Sequence, residues 1–414
     1  MDFIAAGSEI VKAALAARSF ARSNRVECTC IHVGDMPLWR TPFQGKGNIV
    51  RTIGKREVED MAVGAAVLAS GGGGDPYIGK LMALQAIDEY GPFQMMSLDE
   101  LPDDAFVCAS HMLGAPTVLV EKVPNGMEGV GAVDALEKRL GRKFDAIMPL
   151  EAGGLNSLLP FQVAAAKGVP IVDCDGMGRA FPELRHVTWT LFDIPACPAV
   201  VCDEKGDVVT VEAVDNAWAE RLSRNAAITT GGSVFMADYA MTGAQAKQAS
   251  IPGTSTYCEQ IGRAIREAHE QNVDPLPVIL DLLGAFELFR GKLDDVARRT
   301  EGGFVRGYAH FAGIDDYAGR ECELRFQNEH LLAKSGDEVL CSAPDLIAVL
   351  DIETALPITT EGMKYGARGV VIGIPVHEHW RSERGLEIAG PRYFGYDIDF
   401  VPVEERVVES ANEQ

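Results

Sequence analysis

Two apolar runs that do not alternate constrain this chain more than any other feature. "FDAIMPL" (144–150) and "VPIVDCD" (169–175) are short continuous hydrophobic segments, and the helix-forming stretch "LLPFQVAAAKG" (158–168) lies between them. A strand with one wet face alternates apolar and polar residues, whereas a strand covered on both faces does not. Strand–helix–strand with two such strands builds a buried, largely parallel sheet. The flanking pattern agrees. Helices are expected at about 56–70, 76–90, 133–141, 216–228, 255–271 and 275–284, and strands at 93–98, 105–110 and 232–239. "AVVCDEKGDVVTVEA" (199–213) reads as a hairpin turning near Lys205-Gly206. After Gly284 the texture changes to alternating segments with turn residues every several positions, the pattern of an antiparallel barrel or sandwich. The expected organisation is an extension over 1–50, an α/β domain over 51–285, a β-rich domain over 286–402 and a tail over 403–414, with a site between the two domains.

The string "SGGGGDPYIGKL" (70–81) comes within one residue of a phosphate-binding loop: from Gly74 it reads Gly-x-x-x-x-Gly-Lys and then Leu81. Such a loop follows a strand, aims backbone N–H groups at phosphates and places a Ser or Thr hydroxyl on magnesium. Here the hydroxyl is missing, Pro76 has no N–H, and the preceding "REVEDMAVGAAVLAS" has helical spacing. The reading is helix, glycine corner, helix, with Asp75 as N-cap and Pro76 at the first helical position. Its N–H groups, at Gly73 and Gly74 in particular, still suit a small carboxylate or oxyanion.

Net charge narrows the partners. At −22 the chain is a poor match for nucleic acid or an anionic membrane, and no apolar run reaches the length of a membrane span. Nine scattered cysteines fit buried thiols in a reducing cytoplasm. The first fifty residues carry six Lys/Arg against four acids, a net of +2, so the remainder carries −24. "IVKAALAARSFARSNR" (10–25) fits a basic amphipathic helix, but Asp2 and Glu9 argue against a transit peptide, and Cys28 and Cys30 alone do not make a zinc site. This segment reads as a dispensable extension.

In open α/β sheets ligands bind at the carboxyl ends of strands. Two such ends stand out. In "PLEAGGLNS" (149–157), Glu151 leaves the strand, Gly153 and Gly154 permit close backbone approach, and Asn156 and Ser157 offer hydrogen bonds. In "VDCDGMGRAFPE" (172–183), Asp173 and Asp175 project from a strand end, Gly176 and Gly178 bend the chain, and Arg179 and Glu183 follow. Helix caps and turns are the structural alternative for each. "HEH" (377–379) is a weak metal pair that reads as an exposed loop, Cys174 reads as a packed core thiol, and His111 as a satisfied histidine near a strand end.

Together these segments resemble the S-methyl thiohydantoin desulfurase family. The matching strings are "GGGGDPY" (71–77), "GAPTV" (114–118), "EAGGLNSL" (151–158), "DCDGMGRAFPE" (173–183), "DNAWAERL" (215–222), "MTGAQAK" (241–247), "FRGKL" (289–293), "RTEGGFVRG" (299–307), "FQNEHL" (326–331), "PDLIAVLD" (344–351) and "GPRYFGYD" (390–397). They run in order from about Arg51 to Pro402 and leave residues 1–50 outside. His330 and Cys174 stand where the family is expected to have Asn and Ala. The resemblance implies a three-layer α/β/α N-terminal domain and a mostly β, barrel-like C-terminal domain. It implies a hydrolase that converts an S-methylated thiohydantoin to a hydantoin with release of methanethiol, in ergothioneine-type catabolism.

That chemistry asks for a base on water, donors to a ring heteroatom and an acid for the departing sulfur. Asp175 or Glu151, with Asp173 beside them, are the expected catalytic acids. Asn156 and the N–H groups of Gly73, Gly74, Gly153 and Gly154 are the expected donors, and Arg179 the clamp on a substrate carboxylate. Two alternatives stay open: a metal-assisted hydantoinase- or oxoprolinase-like ring hydrolase using Asp173, Asp175 and a histidine, and a non-catalytic accessory subunit of such an enzyme. No metal site or cofactor is assigned. The expected partner is a small-molecule substrate. Homo-oligomerisation and association with hydantoinase or oxoprolinase proteins stay open as well.

Overall fold

A computed structural model describes residues 50–115, 118 and 122–413. The expectations for the N-terminal extension, and for part of the "GAPTV" string, lie outside the described residues. The first sheet contains β1 (Arg51–Ile53), β2 (Phe93–Ser97), β3 (Phe106–Gly114), β4 (Ala146–Pro149), β5 (Ile171–Asp175), β6 (Ala199–Cys202), β7 (Val208–Val211), β8 (Ser233–Thr242) and β9 (Ile251–Pro252). Its order is β1-β2-β5-β4-β3-β8-β6-β7, with β9 paired to β5. The inner strands β2, β5, β4 and β3 are parallel, as the strand–helix–strand pattern requires. The flanks are antiparallel, so the sheet is mixed rather than largely parallel. The tight turn at Gly206 (φ 87°) is one cause, since it forces β6 and β7 to run in opposite directions. Every residue of β4 and β5 is buried, so helices cover both faces and the domain has three layers.

Local chemistry sets the helix ends. Helices Lys55–Leu68 and Pro76–Tyr90 flank the glycine corner, and the Asp75 carboxylate accepts the Tyr77 N–H at 2.8 Å. Helix Glu128–Leu140 closes on Gly141 (φ 69°). It begins earlier than its hydrophobic pattern suggests because the buried Glu128 carboxylate accepts the N–H groups of Asn125 and Gly126 (2.6 and 2.8 Å). Helix Asn216–Thr229 is capped by Asp215 through Trp218 N–H at 2.8 Å. Among the described residues no helix is long and apolar enough to cross a membrane.

The second sheet is antiparallel throughout. It contains β10 (Phe286–Glu301), β11 (Phe304–Gly313), β12 (Glu321–Gln327), β13 (Glu329–Ser335), β14 (Glu338–Ser342), β15 (Leu346–Asp351) and β16 (Arg368–Ile374), in the order β14-β13-β12-β11-β10-β16-β15. It curls into a half-barrel, and His330 of β13 meets the Ile347 carbonyl of β15 at 2.9 Å. Strands β15 and β16 join the two domains by simple alternation. Leu346, Ala348, Leu350, Val370, Ile372 and Ile374 belong to the core of the α/β domain, while Ile347, Val349 and Val371 belong to the core of the half-barrel.

The glycine corner has a packing purpose. A Cβ on Gly154 (φ 23°) would lie 1.9 Å from the Gly74 carbonyl oxygen, and one on Gly73 would lie 2.6 Å from Gly153 Cα. Two backbone loops touch here with no side chains between them. Backbone strain and overpacking each cost about 1–3 kcal/mol. Gly154→Ala is therefore expected to lower unfolding free energy by about 2–5 kcal/mol in a urea titration. A change below about 0.5 kcal/mol would mean that the two loops separate freely.

Candidate active site

The carboxyl ends of β3 and β4, the glycine corner and the start of β13 enclose a cavity of about 40 Å³, enough for a few waters. Gly73, His111, Glu151, Asn156, Arg224 and Glu329 are on its wall. Glu151 follows β4 and is buried. Its Oε1 accepts the Asn156 side-chain N–H at 2.7 Å, and its Oε2 accepts the Phe181 N–H at 3.4 Å. Asn156 is itself locked to β3: its Oδ1 accepts the Met112 N–H (2.7 Å) and its Nδ2 donates to the Met112 carbonyl (3.1 Å). Gly153 lets the carboxylate fold back, since a Cβ there would lie 3.0 Å from Glu151 Cδ. Burial raises the Glu151 pKa from 4.5 to about 7, against the pull of Asn156, His111, Phe181 N–H and Arg179.

A second buried carboxyl faces the same cavity from the other domain. Glu329 Oε1 accepts the Gly73 N–H at 3.3 Å, and its Oε2 has no hydrogen-bond partner among the described residues. Burial, with the Glu151 charge adding to it, holds the Glu329 pKa well above the carboxylate range. Next to these acids, His111 Nε2 lies 3.1 Å from the carboxylate of buried Asp238 on β8. Burial lowers the pKa of His111, but the charge and hydrogen bond of Asp238 outweigh it and the net shift is upward. The wall thus combines two carboxyls held toward their protonated forms with a histidine held toward its charged form.

The structure distributes the other expected residues differently. Asp173 and Asp175 are two residues apart in β5, which in a strand puts them on the same face, and neither is on the cavity wall. Asp173 binds the N-terminus of helix Thr254–Glu270 through Thr256 N–H (3.1 Å) and the Thr256 hydroxyl. Asp175 Oδ1 accepts the N–H groups of Gly178 (2.8 Å) and Met177 (3.2 Å), which makes a tight turn. Arg179 is not an open clamp. It is fully buried, stacks on Phe181 at 4.3 Å and donates to the carbonyls of Ala180 (2.9 Å), Pro344 (2.6 Å), Asp345 (2.9 Å) and His330 (3.4 Å), which fastens one domain to the other. Both amide protons of Asn156 are taken up within the protein, and so is the Gly73 N–H. Gly74 is on the wall, whereas Gly153 and Gly154 stand behind it. Cys174 is a buried thiol whose pKa burial raises further. "HEH" is a short 3-10 turn rather than an exposed loop, with His377 buried and the two rings 4.6 Å apart. Glu329 and Asp238 were not among the expected site residues.

Family models give this geometry a context. The model described as S-Me-THD-like, N-terminal domain, matches residues 56–213, and the S-Me-THD-like, C-terminal domain, matches residues 214–403. The chain belongs to the S-Me-THD-like family. This is the S-methyl thiohydantoin desulfurase family of the sequence resemblance. The boundary between the two S-Me-THD-like models precedes β8, so the C-terminal model contributes two strands to the first sheet, β8, which carries Asp238, and the short β9. The family strings "GGGGDPY", "EAGGLNSL", "DCDGMGRAFPE" and "FQNEHL" each supply residues to the cavity wall. A crystal structure of a protein from Chromobacterium violaceum has a similar fold, with a TM-score of 0.71 and 24% identity over 85% of this chain and all of that one. No curated protein matches the chain significantly.

Proposed function

We propose that this protein is a hydrolase that replaces the methylthio group of an S-methylated thiohydantoin with oxygen, releasing methanethiol and leaving a hydantoin. The observation that supports it is the pair of buried carboxyls, Glu151 and Glu329, on one cavity, with burial raising the pKa of Glu151 to about 7 and that of Glu329 above its ordinary value. Glu151, near 7, is the base. It takes a proton from water as the water oxygen bonds to the ring carbon between the two nitrogens. The C=N electron pair moves to the ring nitrogen, which receives that proton from Glu151. The C–S bond then breaks, the sulfur takes the Glu329 proton, and the remaining hydroxyl proton returns to Glu329 as the carbonyl forms. His111, whose charged form Asp238 favours, stabilises the negative charge that develops on the ring. Asn156 orients Glu151 rather than touching substrate. A five-membered ring needs more room than about 40 Å³. We place its entry where the domains meet, between the Pro182 and Gly303 carbonyls that Arg224 holds together at 3.0 and 3.1 Å.

The test is the purified full chain with S-methyl thiohydantoin, with thiol trapped colorimetrically and the ring product followed by NMR. One thiol per hydantoin is expected, at a rate unchanged by a chelator. No release by the isolated chain would favour the accessory-subunit reading. Loss on chelation, restored by one metal ion, would favour a metal-assisted ring hydrolase.

A further inference from the structure

A second and larger cavity, about 270 Å³, lies on the half-barrel and shares no wall residue with the first. Arg306 and Tyr308 of β11, Arg325 and Phe326 of β12, and Phe394 and Tyr396 of the C-terminal segment line it. The sheet register explains how it is built. Arg306 stands opposite Gln327 and Tyr308 opposite Arg325, so the two arginines are diagonal neighbours on adjacent strands. Like charges in that relation repel.

Local acids only partly offset the pair. Arg325 Nε donates to Glu323 (2.8 Å), but Lys334 shares that carboxylate at 3.4 Å, and Asp295 accepts the Tyr308 hydroxyl at 2.7 Å. Three cations against two acids leave a positive surplus on a chain whose net charge is −22. Among the described residues no hydrogen bond engages the terminal nitrogens of either arginine, and both guanidinium groups lie within electrostatic range of the Tyr396 hydroxyl. The cavity wall itself carries no carboxylate. Phe394 and Tyr396 add aromatic rings to this positive pocket.

We propose that this cavity is a second binding site, specific for a small planar carboxylate, with the carboxylate between Arg306 and Arg325 and the ring against Phe394 and Tyr396. Guanidinium groups match a carboxylate in charge and hydrogen-bond geometry, and aromatic walls favour a flat ring. The site stands independently of the hydrolase reading, because its residues take no part in that chemistry.

The test is calorimetric titration of the full chain with benzoate, benzamide and cyclohexanecarboxylate, at low and at physiological salt. Benzoate is expected to bind saturably, benzamide about tenfold or more weakly for want of charge, and cyclohexanecarboxylate several-fold more weakly for want of a flat ring. Arg306→Gln and Arg325→Gln should each weaken benzoate about tenfold without moving the melting temperature, and Glu151→Gln should leave benzoate binding unchanged. Equal binding of the neutral or puckered analogue, or benzoate binding that responds to Glu151→Gln but not to the arginine variants, overturns the site. Absence of saturable binding overturns it too. If the arginine variants then lower the sedimentation mass, the pocket is an interface between copies of this chain.

Discussion

Glu151→Gln is expected to lower kcat for methanethiol release by about two to four orders of magnitude, the range for loss of a general base. Gln keeps the shape and can still accept from Asn156, giving up only the long contact to Phe181 N–H because its NH2 is a donor, so the fold should survive. The pH dependence separates this from a positioning effect. In the wild type, kcat should rise with pH through about 7 as Glu151 ionises, and in the variant that limb should vanish. Near-wild-type turnover in Glu151→Gln would remove Glu151 as the base. The search would then move to the other titratable groups on that wall, His111, Glu183 and Glu329.

The same residue gives a stability signature that needs no substrate. Burial holds the Glu151 carboxyl at about 7 in the folded state against 4.5 when exposed. The folded chain therefore binds this proton more tightly, and the stabilisation is fully present below pH 4.5 and lost as pH rises through about 7. The displacement corresponds to about 3 kcal/mol. Urea titrations of wild type and Glu151→Gln should thus diverge by about that amount, in favour of the variant, between acid and mildly alkaline pH. Parallel curves would mean that Glu151 is solvated in solution.

What the sequence disclosed of all this follows a physical boundary. Unalternating apolar strands, the Lys205-Gly206 turn, the Asp75 cap and the change of texture after Gly284 depend on neighbours in the chain, and they stand in the structure as the sequence places them. Which partner a strand-end acid meets is decided by chain segments far away. Asp173 and Glu151 look alike in sequence, yet one meets a helix terminus and the other a cavity. Asp175 was legible in hindsight, because an Asp followed by Gly-Met-Gly favours a turn closed by its own carboxylate. Asp238 left a signal too: an acid inside the apolar strand "SVFMADYAMT" must have a buried partner. Glu329 left none, since it opens a strand in the other domain and meets Glu151 only when the half-barrel docks.

Glu329→Gln should be equally damaging and in a distinguishable way. Gln retains an oxygen for the Gly73 N–H and no new charge is buried, so melting should change little. What it lacks is the carboxyl proton that burial favours on Glu329. Methylthio turnover is expected to fall by about two orders of magnitude or more, while the limb of the rate profile set by Glu151 stays. Methanethiolate is a basic leaving group that benefits from protonation. A nitrophenylthio group leaves as a stable anion and does not. The variant should therefore recover most of its lost rate on an S-nitrophenyl thiohydantoin, whereas Glu151→Gln, which fails at water attack, should not. A Glu329→Gln variant equally slow on both substrates would show that Glu329 does not protonate the sulfur. Wild-type turnover on the methylthio substrate would place the acid elsewhere on the cavity wall, with His111, whose charged form Asp238 favours, next in line.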